Sequence, residues 1–345
     1  MLIILKHGSG PQEIESVVAE VRRVGYRPHV SEGKHTTLIG AIGKGPTPEL
    51  LDHFRALSAV QDVIPISKPY KLASLEVSPK PTVLRWNSGA TGGGEVLIAA
   101  GPCGVESLEQ TLTAARYVKK HGAQMLRGGA FKPRTSPYSF QGMGQEGLEI
   151  LAEARRQTGL PIVTEVVSPE QVDLVATYAD VLQIGARNAQ NFALLQAAGR
   201  SGRAVMLKRG MSMTLEEFLM SAEYVLAQGN MQLILVERGI RTFEKSTRFT
   251  LDVSAVPVLK SWTHLPVWID PSHAAGKRDW VTSLALAGLA AGADGLIVET
   301  HPEPEKAQSD AAQQLTESQF ADMMRKVRAL LPALGRRLTQ ELEPA

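Results

Sequence analysis

Between residues 95 and 299 the chain repeats one pattern eight times: a short apolar run rich in Val, Ile and Leu, followed by a stretch of helical periodicity. The runs are EVLIAA, QMLRGG, PIVTEV, VLQIGA, AVMLKR, LILVERG, PVWIDPS and GLIVET. Near-continuous apolar strands alternating with helices require a parallel sheet covered on both faces. Eight such units predict a closed (β/α)8 TIM barrel over residues 95–345 rather than an open doubly wound sheet. No Gly-x-Gly-x-x-Gly follows the first run, which argues against a dinucleotide fold.

The first part of the chain has another rhythm. LIIL, PHVSE, TTLIGAI and DVIPI have strand composition, while PQEIESVVAEVRRV and TPELLDHFRAL have helical spacing with Pro near their starts. The order βαββαβ predicts a ferredoxin-like domain over residues 1–66. Pro and then Gly interrupt all periodicity between 67 and 94, which predicts a linker there. With 37 Lys+Arg against 35 Asp+Glu, the net charge of +2 excludes the broad basic field that nucleic acid or an anionic membrane demands. A single Cys excludes a disulfide framework, and the four apolar residues after Met1 are too few for a signal peptide. These features predict a cytoplasmic protein whose partners are small molecules or copies of itself.

In a barrel of this kind the C-terminal strand ends build the active site. Here they bring Cys103, Arg127, Glu165, Arg187, Lys208, Glu237 with Arg238, Asp270 with His273, and Glu299 to one rim. Two chemical sets emerge. Cys103, His273 and Glu299, with Asp310 in the following loop, offer the thiolate, imidazole and carboxylates of a divalent transition-metal site. Arg127, Lys132, Arg134, Arg187, Lys208 and Arg238 form a cation cluster that needs anions, phosphates or carboxylates, to hold it together. The loop GGAFKPRTSPYSFQG adds Pro133 to fix the backbone and Thr135, Ser136 and Ser139 as donors for a polyhydroxylated phosphate.

The motifs AGPC, RGGAFKPRTSPYSFQG, QIGARNAQN, LKRG, ERGIRTFE, DPSH and VETHPEPEKAQSD resemble those of 3-deoxy-D-arabino-heptulosonate 7-phosphate (DAHP) synthases, in the branch with a ferredoxin-like regulatory domain before the barrel. One departure is Gly104, where many relatives carry Ser. The resemblance implies the first step of the shikimate pathway, a condensation of phosphoenolpyruvate with erythrose 4-phosphate and water that releases phosphate. It implies a divalent metal, manganese first and otherwise iron, cobalt or zinc, on Cys103, His273, Glu299 and Asp310. Arg187 and Lys208, with Ala186 and Arg238 beside them, would hold the phosphate of phosphoenolpyruvate, and Arg127 and Lys132 its carboxylate region. Pro133, Arg134, Thr135 and Ser136 would bind erythrose 4-phosphate. Lys132 is expected to donate a proton, its pKa depressed by neighbouring arginines. Glu165 would orient the water or hold Lys208, and Asp270 would fix the catalytic His273.

The resemblance also implies a tetramer and feedback inhibition by an aromatic amino acid, tyrosine or phenylalanine. His29 and Ser31 alternate on one strand and share a face that could receive that effector. Three other readings compete: a 3-deoxy-D-manno-octulosonate 8-phosphate synthase, which typically has Ala-Asn-Arg-Ser where Pro133 to Ser136 stand; a Schiff-base aldolase using Lys132 or Lys208; and a non-catalytic aromatic amino-acid sensor.

Overall fold

The computed structural model describes residues 1–32, 37–43, 45–65, 69–133 and 138–340. The chain divides into two compact units, Met1–Pro79 and Lys80–Ala345. In the first, β1 (Leu2–Leu5), α1 (Pro11–Arg23), β2 (Arg27–Glu32), β3 (Thr37–Ile42), α2 (Pro48–Arg55) and β4 (Val60–Ile64) follow the predicted βαββαβ order. The strands form one antiparallel sheet in the order β2-β3-β1-β4. Helix α1 starts with Pro11 at its first turn and with the Glu13 carboxylate accepting from the Gly10 amide at 2.8 Å; Thr47 caps α2. Val17, Val18 and Val21 of α1 and Phe54 of α2 pack with Ile3, Leu5, Ile39 and Ala41 into an apolar core. His29 pairs with Gly40 and Ser31 with Leu38, so both occupy the face opposite Ile39 and Ala41.

The second unit opens with a hairpin, β5 (Leu84–Trp86) and β6 (Gly89–Thr91). This part of the Pro- and Gly-rich stretch was expected to be linker, and it belongs instead to the barrel unit. Leu84 joins the core inside the barrel, and the Trp268 indole donates to Thr91 Oγ1 at 2.8 Å. Eight parallel strands follow: β7 (Glu95–Gly101), β8 (Met125–Arg127), β9 (Ile162–Glu165), β10 (Val181–Ile184), β11 (Ala204–Lys208), β12 (Leu233–Glu237), β13 (Val267–Ile269) and β14 (Gly295–Glu299). The pairing of β14 with β7, Glu299 opposite Gly101, closes the barrel. A two-residue strand, β15 (Arg337–Leu338), pairs alongside the start of β7.

Helices cover the outside, α3 (Leu108–Lys120), α4 (Gln145–Thr158), α5 (Val172–Tyr178), α6 (Phe192–Arg200), α7 (Leu215–Leu226), α8 (Ala255–Trp262), the short α9 (Pro271–Ala275), α10 (Arg278–Ala290) and α11 (Glu317–Ala333). Inside, Leu97, Ala99, Met125, Val163, Val181, Met206, Val236, Trp268 and Ile297 fill the barrel. Strand side chains alternate between the two faces. Two residues beyond these core positions, Arg127, Glu165, Gln183, Lys208, Arg238, Asp270 and Glu299 therefore continue the same inward track. Among the described residues no helix is long and apolar enough to cross a membrane.

Candidate active site

The inward track delivers two adjoining groups. In the first, ligand atoms of Cys103, Glu299 and Asp310 lie within 4.8 Å of one another. Cys103 Sγ is 3.5 Å from Asp310 Oδ2, and His273 Nε2 stands 3.6 Å from Glu299 Oε1 and 3.9 Å from Asp310 Oδ2. One thiol, one imidazole nitrogen and two carboxylates converging in this way fit a divalent transition metal. The other side of the imidazole fits as well. Asp270 Oδ2 lies 2.7 Å from His273 Nδ1, a charge contact outside hydrogen-bond alignment, which orients Nε2 toward the set. Asp310 has a φ of 49°, unique among the described non-glycine residues, a left-handed conformation that Asp tolerates better than most.

Charge and burial tune these groups. Burial, and then the Glu299 carboxylate, push the Cys103 thiol up to about 11. Burial works against ionised Glu299 and Asp270, yet His273 with Arg127 for the first, and His273 with Lys208 for the second, hold both carboxyls below the usual range. Arg127 donates to Glu299 Oε1 at 2.8 Å and to Pro102 O at 2.9 Å, while its buried Nε has no partner among the described residues.

The second group surrounds a cavity of about 150 Å³ beside His273. Among the described residues, seven cations line it, Arg127, Lys132, Arg187, Lys208, Arg238, Arg241 and Arg248, against one carboxylate, Glu165. Arg187 and Ala186 come from the 3-10 turn after β10. Arg238 packs over the Phe249 ring at 4.1 Å. Glu165 accepts from Gln183 at 3.2 Å through Oε2, but its Oε1 is buried without a partner among the described residues. A Cβ at position 185 would come within 2.1 Å of that oxygen, so Gly185 makes the carboxylate's position accessible.

Some expectations change. Lys132 does not have a depressed pKa: burial alone would lower it, but the Cys103 sulfur 2.9 Å from its Nζ, with Glu299, turns the net shift upward. Gly129 makes this contact possible, since a Cβ there would meet Lys132 Cδ at 2.7 Å and Cys103 O at 2.8 Å. Lys208 is held by Asp270 at 2.6 Å, not by Glu165. Glu237 leaves the rim, because β12 alternation turns it outward, where Arg209 pairs with it at 2.8 Å and with Asp252 at 2.9 Å. Pro133 is described, whereas Arg134, Thr135 and Ser136 lie outside the described residues. Arg241, Arg248 and Gln313 were missed. They sit in loops away from strand ends, although Arg241 falls inside the ERGIRTFE motif.

Comparisons with known proteins identify the family. Residues 75–332 match the DAHP synthetase I family, and residues 1–68 match the DAHP synthase ferredoxin-like domain. The chain is 48% identical to a phospho-2-dehydro-3-deoxyheptonate aldolase of Thermotoga maritima, covering 97% of this chain and 99% of the relative. A crystal structure of the DAHP synthase from Thermotoga maritima superposes with a TM-score of 0.78 at 47% identity, covering 98% of each chain. A 2-dehydro-3-deoxyphosphooctonate aldolase of Syntrophotalea carbinolica is 34% identical over 68% of this chain and 90% of its own length. The chain belongs to the DAHP synthetase I family, as an enzyme of the branch that carries a ferredoxin-like domain ahead of its barrel.

Proposed function

We propose that the chain condenses phosphoenolpyruvate with erythrose 4-phosphate and water, giving DAHP and inorganic phosphate. The observation that carries this reading is the seven-cation cavity opening beside the Cys103, His273, Glu299 and Asp310 set. A small dianion with a carboxylate suits the cations, and an aldehyde suits the adjoining donor set. Arg187, Lys208 and Arg238 bind the phosphate of phosphoenolpyruvate through charge-assisted hydrogen bonds. Arg127, with its unpartnered Nε, and Lys132 hold the carboxylate. Pro133 to Ser136 receive erythrose 4-phosphate.

C3 of the enol phosphate forms a bond to the aldehyde carbon, and the aldehyde oxygen takes up a proton. A divalent metal bound by Cys103, His273, Glu299 and Asp310 supplies Lewis-acid polarisation of that aldehyde. Lys132, kept charged, holds a proton at Nζ near the developing alkoxide and lowers its energy. Water adds at C2, oriented by the free Oε1 of Glu165. Loss of phosphate from C2 leaves the ketone. Asp270 fixes both His273 and Lys208, and so ties the metal side to the phosphate side.

An aromatic amino acid regulates the enzyme through the ferredoxin-like domain, with His29 and Ser31 contributing, and the enzyme is an oligomer of the tetrameric type. The test of the central reading is phosphate release from phosphoenolpyruvate with erythrose 4-phosphate or with arabinose 5-phosphate as acceptor. Preference for the four-carbon acceptor is expected. Preference for the five-carbon acceptor would assign the chain to octulosonate chemistry, and no release with either would remove the reading.

A further inference from the structure

The two carboxylates of the proposed metal set are linked through Gln313 and Arg248, side chains to which the proposed reaction assigns no individual role, although Arg248 also borders the anion cavity. Glu299 Oε2 accepts from Gln313 Nε2 at 2.6 Å, and Gln313 Oε1 accepts from Arg248 at 2.8 Å. The same Arg248 nitrogen lies 3.3 Å from Asp310 Oδ1. Asp310 therefore turns Oδ2 to Cys103 and His273 and its other oxygen to Arg248. An amide has one donor end and one acceptor end, so only one orientation of Gln313 satisfies a carboxylate on one side and a guanidinium on the other. Gln313 is buried and held in that orientation, while Arg248 is about one-third exposed.

We propose that Gln313 and Arg248 are positioning residues of the metal centre, a clamp that holds Glu299 and Asp310 at one spacing and keeps Asp310 in its left-handed conformation. The inference rests on the proposed metal reading. Without the clamp, Asp310 can relax out of its uncommon backbone state, carrying Oδ2 away from the thiol and imidazole. Glu299 would keep its Arg127 contact and lose the second restraint that fixes the plane of its carboxylate. Coulomb's law gives the clamp a distinctive signature. Removing the Arg248 charge should, by electrostatics alone, favour a divalent cation, whereas loss of positioning should disfavour it.

The experiment titrates the metal-stripped full chain with Co²⁺ against a competing chelator and follows the sulfur-to-cobalt absorption band. Compared are wild type, Gln313→Leu, Arg248→Ala and, as a control, Gln183→Leu, whose side chain touches Glu165 rather than the metal set. Folding of each stripped variant is checked by circular dichroism. Both clamp variants should bind Co²⁺ on the order of 10–100-fold more weakly, with an altered band, and the control should match wild type. Wild-type affinity or tighter in Arg248→Ala overturns the clamp, even if Gln313→Leu fails to fold. So does an unchanged Gln313→Leu. Failure of the wild type itself to bind Co²⁺ would instead remove the metal reading.

Discussion

The two units of this chain treat charge in opposite ways. In residues 1–79 the ion pairs Arg22 with Glu15, Arg23 with Glu20 and Arg55 with Asp62 each have at least one exposed member. The core beneath is built on apolar side chains such as Val17, Val21, Ile39 and Phe54. In the barrel, Arg127 with Glu299, Lys208 with Asp270 and Arg209 with Glu237 are buried on both sides. Burying paired charge costs desolvation that packing with apolar residues would avoid. The first two of these pairs stand at the strand ends where the metal set and the anion cavity meet, so there the cost accompanies chemistry. The ferredoxin-like unit has its apolar core to stabilise it, in keeping with the regulatory role proposed for it.

The largest expected effect is at Cys103. Cys103→Ser replaces the one soft donor with a hydroxyl that stays protonated, so metal-dependent turnover should fall on the order of 10³-fold while the fold persists. Steady-state phosphate release with added metal checks this, and near-normal turnover would move the metal elsewhere.

Next comes the contrast in charge burial. Asp270→Asn leaves buried Lys208 without a counter-charge and should cost about 3–5 kcal/mol in urea unfolding. Glu20→Gln, on the surface of the first unit, should leave its unfolding midpoint unchanged. The pH dependence has a defined sign. The Asp270 carboxyl is held below its unfolded value, so the wild-type advantage is complete above about pH 4 and shrinks as pH falls further. An equal response at the two sites would erase the contrast.

Among the substrate-binding assignments, Arg187→Ala, in the cavity, should raise KM for phosphoenolpyruvate, and Arg134→Ala should raise KM for erythrose 4-phosphate. Each loses a charge-assisted contact of about 1.5–3 kcal/mol, or roughly 10–150-fold. Kinetics that affect both substrates equally would reject the division of labour. Smallest for catalysis is the removal of residues 1–66. The shortened chain should keep kcat within about twofold while losing inhibition by tyrosine or phenylalanine, and His29→Ala in the full chain should weaken inhibition alone. Equal inhibition of the shortened chain would put the effector site on the barrel.

Much of this was legible because a barrel converts period-two patterning into position. Arg127, Glu165, Lys208, Arg238, Asp270 and Glu299 could be read as rim residues from strand ends alone, and strict alternation would also have turned Glu237 outward. What strand patterning does not encode is pairing across distant loops. Lys132 was misjudged because its decisive neighbour, Cys103, is 29 positions away, and the reading weighed only the arginines of the cation cluster. Arg248 and Gln313 meet across 65 positions in loops without periodicity. The hairpin at Leu84–Trp86 and Gly89–Thr91 was hidden by Pro and Gly, which mark turns of an ordered element as readily as a linker.

The measurement closest to the central claim is a titration of the metal-stripped wild-type chain with Co²⁺ at several pH values, following sulfur-to-cobalt absorption and phosphate release together. The account predicts that both signals rise in parallel and saturate near one equivalent. Because the thiol must lose its proton and sits at about 11 in the metal-free chain, the affinity should strengthen about tenfold per pH unit between about pH 7 and 9. Full phosphate release from the stripped chain, or Co²⁺ binding without the sulfur band, would contradict it.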